Sequence, residues 1–201
     1  MLRLLIATSN PGKLREYRQL LHGLCFELVG LIDAGIALKV EEKYDSYAEN
    51  ALHKALSYAG ESGLITLADD SGLEVDALGG EPGVKSARYA GKDATDSQRV
   101  QFLLRKLHGL THKERTARFK CVIAICRPQG ESGIFYGECT GLITEQPAGA
   151  GGFGYDPIFY FEELGKTMAE LEPEVKNRVS HRARAAGSAR GMLQEIASGE
   201  T

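Results

Sequence analysis

Leu2-Arg3-Leu4-Leu5-Ile6-Ala7-Thr8-Ser9-Asn10-Pro11-Gly12-Lys13 begins with an apolar run and closes in a polar turn. Beyond it Leu14, Tyr17, Leu20 and Leu21 recur at helical spacing, so the stretch reads as strand, turn and helix. Pro11 suits a first helical turn, and Ser9 or Asn10 suits the cap before it. Units of this kind build α/β sheets with parallel strands.

The same reading extends along the chain. Residues 26–32 form a second predicted strand, and 46–59 carry Ala48, Ala51, Leu52, Ala55 and Leu56 at helical spacing. Residues 64–68 are a short buried strand ending in Asp69-Asp70. Leu78-Gly79-Gly80-Glu81-Pro82-Gly83 marks an irregular excursion. Asp93-Ala94-Thr95-Asp96 offers caps for a helix running to about Leu107. Residues 118–126 pair with 133–138 and 141–145 across a turn at 129–132, an antiparallel pair in the second half. The tail from 173 to 197 reads as one helix. The predicted fold is α/β, a mixed sheet flanked by helices, in one domain spanning 1–201 that splits into two lobes with a cleft between them.

Composition narrows the function classes. The 201 residues, 43% hydrophobic, are enough to bury a full core. A formal net charge of -3 with 25% charged residues lacks the basic excess of a nucleic-acid binder, so no nucleic-acid partner is expected. Four cysteines at 25, 121, 126 and 139 form no CxxC pair and read as reduced thiols. The apolar run after Arg3 is too short for a signal peptide or a membrane span, which points to the cytoplasm and to no membrane association.

Five segments carry candidate chemistry. Thr8, Ser9, Asn10, Pro11, Gly12 and Lys13 place hydroxyls, free helix-start N–H groups and an ammonium where a phosphate can sit, without Walker spacing. Asp69-Asp70-Ser71-Gly72 sets two carboxylates at a strand end. Adjacent residues there point to opposite faces, so one of the pair aims at a cleft, and carboxylate oxygens suit Mg²⁺. Glu41-Glu42 supplies a second carboxylate source. Gly151-Gly152-Phe153-Gly154-Tyr155-Asp156 exposes a ring on a mobile, glycine-rich backbone, where a stacked base gains on the order of 1–3 kcal/mol. Lys176, His181 and Arg182 present donors at the start of the tail helix. Taken singly, each has a plainer reading: a capped helix, a polar strand end, a solvated acidic pair, a tight structural loop and a charged helix surface.

Together and in this order, these segments resemble the inosine triphosphate pyrophosphatase family. The resemblance rests on Ile6-Ala7-Thr8-Ser9-Asn10-Pro11-Gly12-Lys13, Tyr47-Ala48-Glu49-Asn50-Ala51, Leu67-Ala68-Asp69-Asp70-Ser71-Gly72-Leu73, Gly79-Gly80-Glu81-Pro82-Gly83 with Ser86-Ala87-Arg88-Tyr89, Gly151-Gly152-Phe153-Gly154-Tyr155-Asp156-Pro157 and Ser180-His181-Arg182. It implies an elongated mixed sheet, a nucleotide cleft between two lobes and a homodimer. It also implies (d)ITP and XTP as substrates, cleaved with Mg²⁺ to the monophosphate and pyrophosphate. Carried over by position, Thr8 to Lys13 hold the triphosphate and Asp70 is the metal-linked base. Ser71 touches substrate, and Phe153, Gly154, Tyr155, Asp156, Lys176, His181 and Arg182 line the base pocket. Where the family has a Thr-Gly-x-Thr-Phe-like stretch, this chain has Lys43-Tyr44-Asp45-Ser46-Tyr47. Counting back from Glu49-Asn50 favours Glu41 over Glu42 as the second metal ligand. Two rivals stand beside this reading: a pyrophosphatase for another modified nucleotide, and a nucleotide-binding module without catalysis.

Overall fold

The computed structural model describes residues 1–199. In chain order the regular elements are β1 (Leu2–Ile6), α1 (Pro11–Leu20), β2 (Phe26–Gly30), α2 (Tyr47–Ser62), β3 (Ile65–Val75), α3 (Asp96–Lys106), β4 (Thr116–Cys126), β5 (Ser132–Ile143), β6 (Phe159–Phe161), β7 (Lys166–Thr167), α4 (Pro173–Val179) and α5 (His181–Ser198). The strands form one sheet in the order β2-β1-β3-β4-β5-β6-β7. β1 lies parallel to both β2 and β3, with Leu4 opposite Leu28 and Ile65. β6 is antiparallel to β5 and to β7. The short link between β4 and β5 allows only an antiparallel pair. Hydrogen bonds from Arg127 N–H to the Glu131 carbonyl and from Ile143 N–H to the Arg115 carbonyl fit one such register. The sheet is therefore mixed, as the sequence pattern predicts.

The chain folds as two compact units, one made of Met1–Asp70, Cys121–Gly137 and the segment from Arg182 onward, the other of Ser71–Lys120 and Glu138–His181. In the first unit, strand alternation separates two apolar faces. Leu4, Ile6, Leu67, Ile123 and Ile125 pack against Tyr17 and Leu21 and against Ala185, Ala189 and Leu193 of α5. On the opposite face, Leu5, Ala68, Val122 and Ala124 pack against Ala51, Ala55 and Tyr58 of α2. Each large side chain buried this way contributes about 1.5–3 kcal/mol, so helices on both faces are needed to cover the sheet. In the second unit, Leu73, Val75, Phe119 and Phe159 pack against Val100, Leu103 and Leu107 from α3 and the residue closing it.

Two elements differ from the sequence reading. β3 does not stop at Asp70 but runs on to Val75, so Asp69, Asp70 and Ser71 lie in mid-strand. The tail is two helices rather than one, because Ser180 has an extended backbone (φ −70°, ψ 156°) between α4 and α5. Lys176 and Arg182 thus belong to different helices and different units. Among the described residues no helix is long and apolar enough to cross a membrane.

Candidate active site

Mid-strand placement on β3 decides what the two aspartates do. Asp69 shares the strand face of Leu67, toward α1 and α5, and Asp70 the face of Ala68, toward α2. Both are almost completely buried, at 2% and 3% exposure, so each needs compensation. Asp69 Oδ2 takes an ion pair from Lys13 Nζ at 2.8 Å and faces Arg182 at 3.5 Å. Burial alone would raise its pKa, but Lys13, Arg182 and Lys54 prevail and hold it well below the ordinary carboxylate value. Asp70 Oδ2 accepts a hydrogen bond from Asn50 Nδ2 at 2.9 Å. Burial pushes its pKa up to about 6; Lys54 and Lys13 pull it down, and the Glu42 charge adds to the rise.

α2 carries the second layer of this cluster. Ser46 caps the helix by accepting from Glu49 N–H at 3.3 Å, and Asn50 and Lys54 follow one turn apart on its buried face. Lys54 Nζ donates to the backbone carbonyl of Asp69 at 2.6 Å and pairs with Glu42. Burial would lower the Lys54 pKa, but Glu42, Asp69 and Asp70 raise it. Asn50 also fixes the preceding loop, accepting from Tyr44 N–H and donating to the Tyr44 carbonyl, each at 3.0 Å. That loop brings Glu42 into the cluster, while Glu41, the residue favoured by the sequence count, is exposed. Lys54 is the residue sequence reasoning missed. Its signal was a lysine four positions after an asparagine on a helix face otherwise made of Ala51, Ala55 and Tyr58.

The turn before α1 also departs from expectation. Asn10 Oδ1 accepts from Gly12 N–H at 2.8 Å and from Lys13 N–H at 3.2 Å, and Pro11 has no N–H to offer. The helix-start amides expected to be free are thus taken by an N-cap side chain. What the turn presents are the side chains of Thr8 and Ser9, with Lys13 beside Asp69; Pro11 is exposed and Gly12 buried. Thr8, Ser9, Asn10 and Pro11 border a cavity of about 840 Å³, within the size range of ligand sites.

In the second unit the glycine-rich segment is a bolted loop, not a mobile one. Asp156 Oδ2 accepts from Phe153 N–H at 2.8 Å and pairs with Lys176 Nζ at 2.5 Å, and that ammonium lies 5.1 Å from the centre of the Phe153 ring. A Cβ on Gly152, at φ +71°, would come within 2.0 Å of Asp156 Oδ2, so only glycine fits there. Gly154 and Tyr155 are tied to other segments: Gly154 N–H donates to Asp96, and the Tyr155 hydroxyl to the Ser86 carbonyl. His181 is buried, stacks on Phe119 with centroids 4.6 Å apart, and has Nδ1 at 3.9 Å from Cys139 Sγ. Ser71 follows Asp70 as a half-buried strand residue. Phe153, Asp156, Lys176 and His181 lie in the same unit. Arg182 does not join them. Its fully buried guanidinium pairs with Glu16 at 2.6 Å and Asp69, and sits 5.9 Å from the Tyr17 ring, fastening α5 to α1 and β3. Two opposite charges drew it inward, a destination invisible in a linear string.

Comparison with known proteins adds a second line of information. The family model described as the Ham1 family matches residues 4–191. The chain is 52% identical over 185 residues to a dITP/XTP pyrophosphatase of Geobacter sulfurreducens, covering 92% of this chain and 93% of that one. It is 46% identical over 200 residues to a dITP/XTP pyrophosphatase of Geobacillus kaustophilus, covering 100% and 98%. Among solved structures, a HAM1 protein from Coxiella burnetii superposes with a TM-score of 0.87 at 41% identity, over 97% of this chain and all of that one. The Staphylococcus aureus Ham1 protein gives 0.82 at 39% identity, over 99% and 100%.

Proposed function

This chain belongs to the Ham1 family, and from that membership we propose that it hydrolyses non-standard purine nucleoside triphosphates, dITP/ITP and XTP/dXTP, to the monophosphate and pyrophosphate. Both units serve one pyrophosphatase domain. The observation that carries the reading is the placement of Asp70: a buried carboxylate on β3 that accepts from Asn50 Nδ2 at 2.9 Å, in the cluster of Lys54 and Glu42. An ordinary carboxylate is a feeble base near neutral pH, so positioning of the water and polarisation by a metal would do much of the activation.

The donor set fits a magnesium ion. Asp70 and Glu42 are close enough for the charge of one to disfavour that of the other, a repulsion a divalent cation removes. Among the described residues no three His, Cys, Asp or Glu side chains form a metal cage, and Mg²⁺ takes one or two carboxylates with waters and substrate phosphates. When bound, the ion polarises phosphate oxygens and acidifies water. The protein's own residues do the rest. Asp70 orients the attacking water and takes its proton, while Asn50 fixes the carboxylate. Lys54 holds Glu42 beside it. Lys13, preset by Asp69, offers positive charge to the pyrophosphate oxygens as they gain charge, the electrostatic contribution that dominates phosphoryl transfer. Thr8 and Ser9 supply hydroxyls to the same phosphates. In the second unit Phe153 offers a stacking face, and Lys176 and His181 suit the C6 oxygen of hypoxanthine or xanthine, which adenine replaces with an amino group. A homodimer, implied by the family resemblance, and a cytoplasmic location complete the proposal; the buried thiols of Cys121, Cys126 and Cys139 suit a reducing compartment.

The test is a panel of triphosphates with pyrophosphate release as readout. ITP and XTP should exceed ATP in kcat/KM by about 100-fold or more. Preferred turnover of a pyrimidine triphosphate would overturn the substrate assignment.

A further inference from the structure

We propose that Asp96 is a positioning residue for base recognition: it holds the glycine-rich loop by the Gly154 amide and so fixes where Phe153 presents its ring. Asp96 opens α3, but the helix does not need it as a cap. Thr95 accepts from Gln98 N–H at 3.2 Å, and the Gln98 side chain accepts from Thr95 N–H at 2.8 Å, which completes a capping box. The Asp96 carboxylate is used elsewhere. Its Oδ2 accepts from Gly154 N–H at 2.7 Å, a charge-assisted bond across 58 positions of sequence. Its Oδ1 pairs with Arg99, whose guanidinium also donates to the carbonyls of Ala87, at 3.0 Å, and Ala94. That anchorage fixes the direction in which the carboxylate points.

The loop's other ties lie on either side of Gly154: Phe153 N–H donates to Asp156 at 2.8 Å, Gly151 N–H to the Ala169 carbonyl at 3.0 Å, and the Tyr155 hydroxyl to the Ser86 carbonyl. Gly151 and Gly152 sit against Ala169 and Asp156, whereas a Cβ on Gly154 would meet nothing within 4 Å. At Gly154 itself, where φ is +63°, the amide is fixed by its bond to Asp96. The Phe153 ring is one residue from that anchor, and a ring displaced by about 1 Å can cost up to about 100-fold in a step that depends on its placement.

The inference rests on reading Phe153 and its neighbours as base contacts, and the test separates the two. Steady-state ITP hydrolysis is measured for wild type, Asp96→Ala, Asp96→Asn and Phe153→Ala. Asp96→Ala is expected to raise KM about tenfold with kcat within about threefold. Asp96→Asn, which keeps an acceptor oxygen for Gly154, is expected to restore most of the loss. If Asp96→Ala keeps the wild-type KM while Phe153→Ala raises it, the role of Asp96 is overturned and the base-loop reading stands. If neither variant changes KM, the base-loop reading falls and the inference with it. Should Asp96→Ala fail to fold, amide exchange on the wild type decides. Gly154 N–H is expected to be protected by about 100-fold or more, and exchange at the free rate overturns the proposal.

Discussion

At the scale of single residues, two adjacent aspartates are pushed in opposite directions by their partners. Asp69, beside Lys13 and Arg182, stays ionised, and its stabilising contribution is present above the ordinary carboxylate pKa and lost as pH falls through its lowered value. Asp69→Asn takes a carboxylate from Lys13 and leaves the buried Arg182 with Glu16, and thermal melts near neutral pH should show a Tm lower by roughly 10 °C. Asp70 has the opposite sign. Its folded value of about 6 lies above the ordinary value, so the proton it holds stabilises the fold at low pH, and that contribution is lost as pH rises through 6. In metal-free protein Asp70→Asn should therefore be more stable than wild type near neutral pH, by about 1–3 kcal/mol, with the difference gone below about pH 4. A wild type that stays the more stable of the two near neutral pH would contradict the shift. Lys54→Met frees Glu42 and should lower kcat for ITP by about 100-fold or more, measured as pyrophosphate release. Asp70 was legible in the sequence through its neighbours Ser71 and Gly72. Lys54 was not, because a lysine on an alanine-rich helix reads as a solvated face until its buried partners are seen.

At the scale of elements, caps and close approaches set the geometry. Asn10→Ala removes the acceptor for two amides of α1 and should cost about 1 kcal/mol in chemical denaturation. Gly152→Ala forces a Cβ into Asp156 at a left-handed φ, and should raise KM for ITP by about tenfold or more. An unchanged KM would show that the loop has room the structure does not give it. The strand-helix opening was legible because Leu4, Ile6, Tyr17 and Leu21 face one core. The length of β3 was not, since Asp69-Asp70-Ser71-Gly72 has the composition of a turn and is held in mid-strand with cations from α1, α2 and α5 on Asp69. The break at Ser180 was hidden because helix-compatible residues lie on both sides of it, Lys176 and Arg178 before and Arg182, Ala183 and Arg184 after.

At the scale of the whole molecule, the candidate residues fall into two groups: Asp70, Glu42, Lys54 and Lys13 lie in one unit, and Phe153, Asp156, Lys176 and His181 in the other. Arg182, read in the sequence beside Lys176 and His181, lies in the first unit with its two carboxylate partners, Glu16 and Asp69. If Mg²⁺ binds at Asp70 and Glu42, adding it to wild type should raise Tm near neutral pH, and by less at about pH 5, where Asp70 is largely protonated. The most direct measurement is the first product formed from ITP and Mg²⁺ by wild type and Asp70→Asn, resolved as pyrophosphate or orthophosphate. The expected result is inosine monophosphate with pyrophosphate from wild type, and a rate lower by about 1,000-fold in Asp70→Asn. Orthophosphate as first product, or full activity in Asp70→Asn, would contradict it.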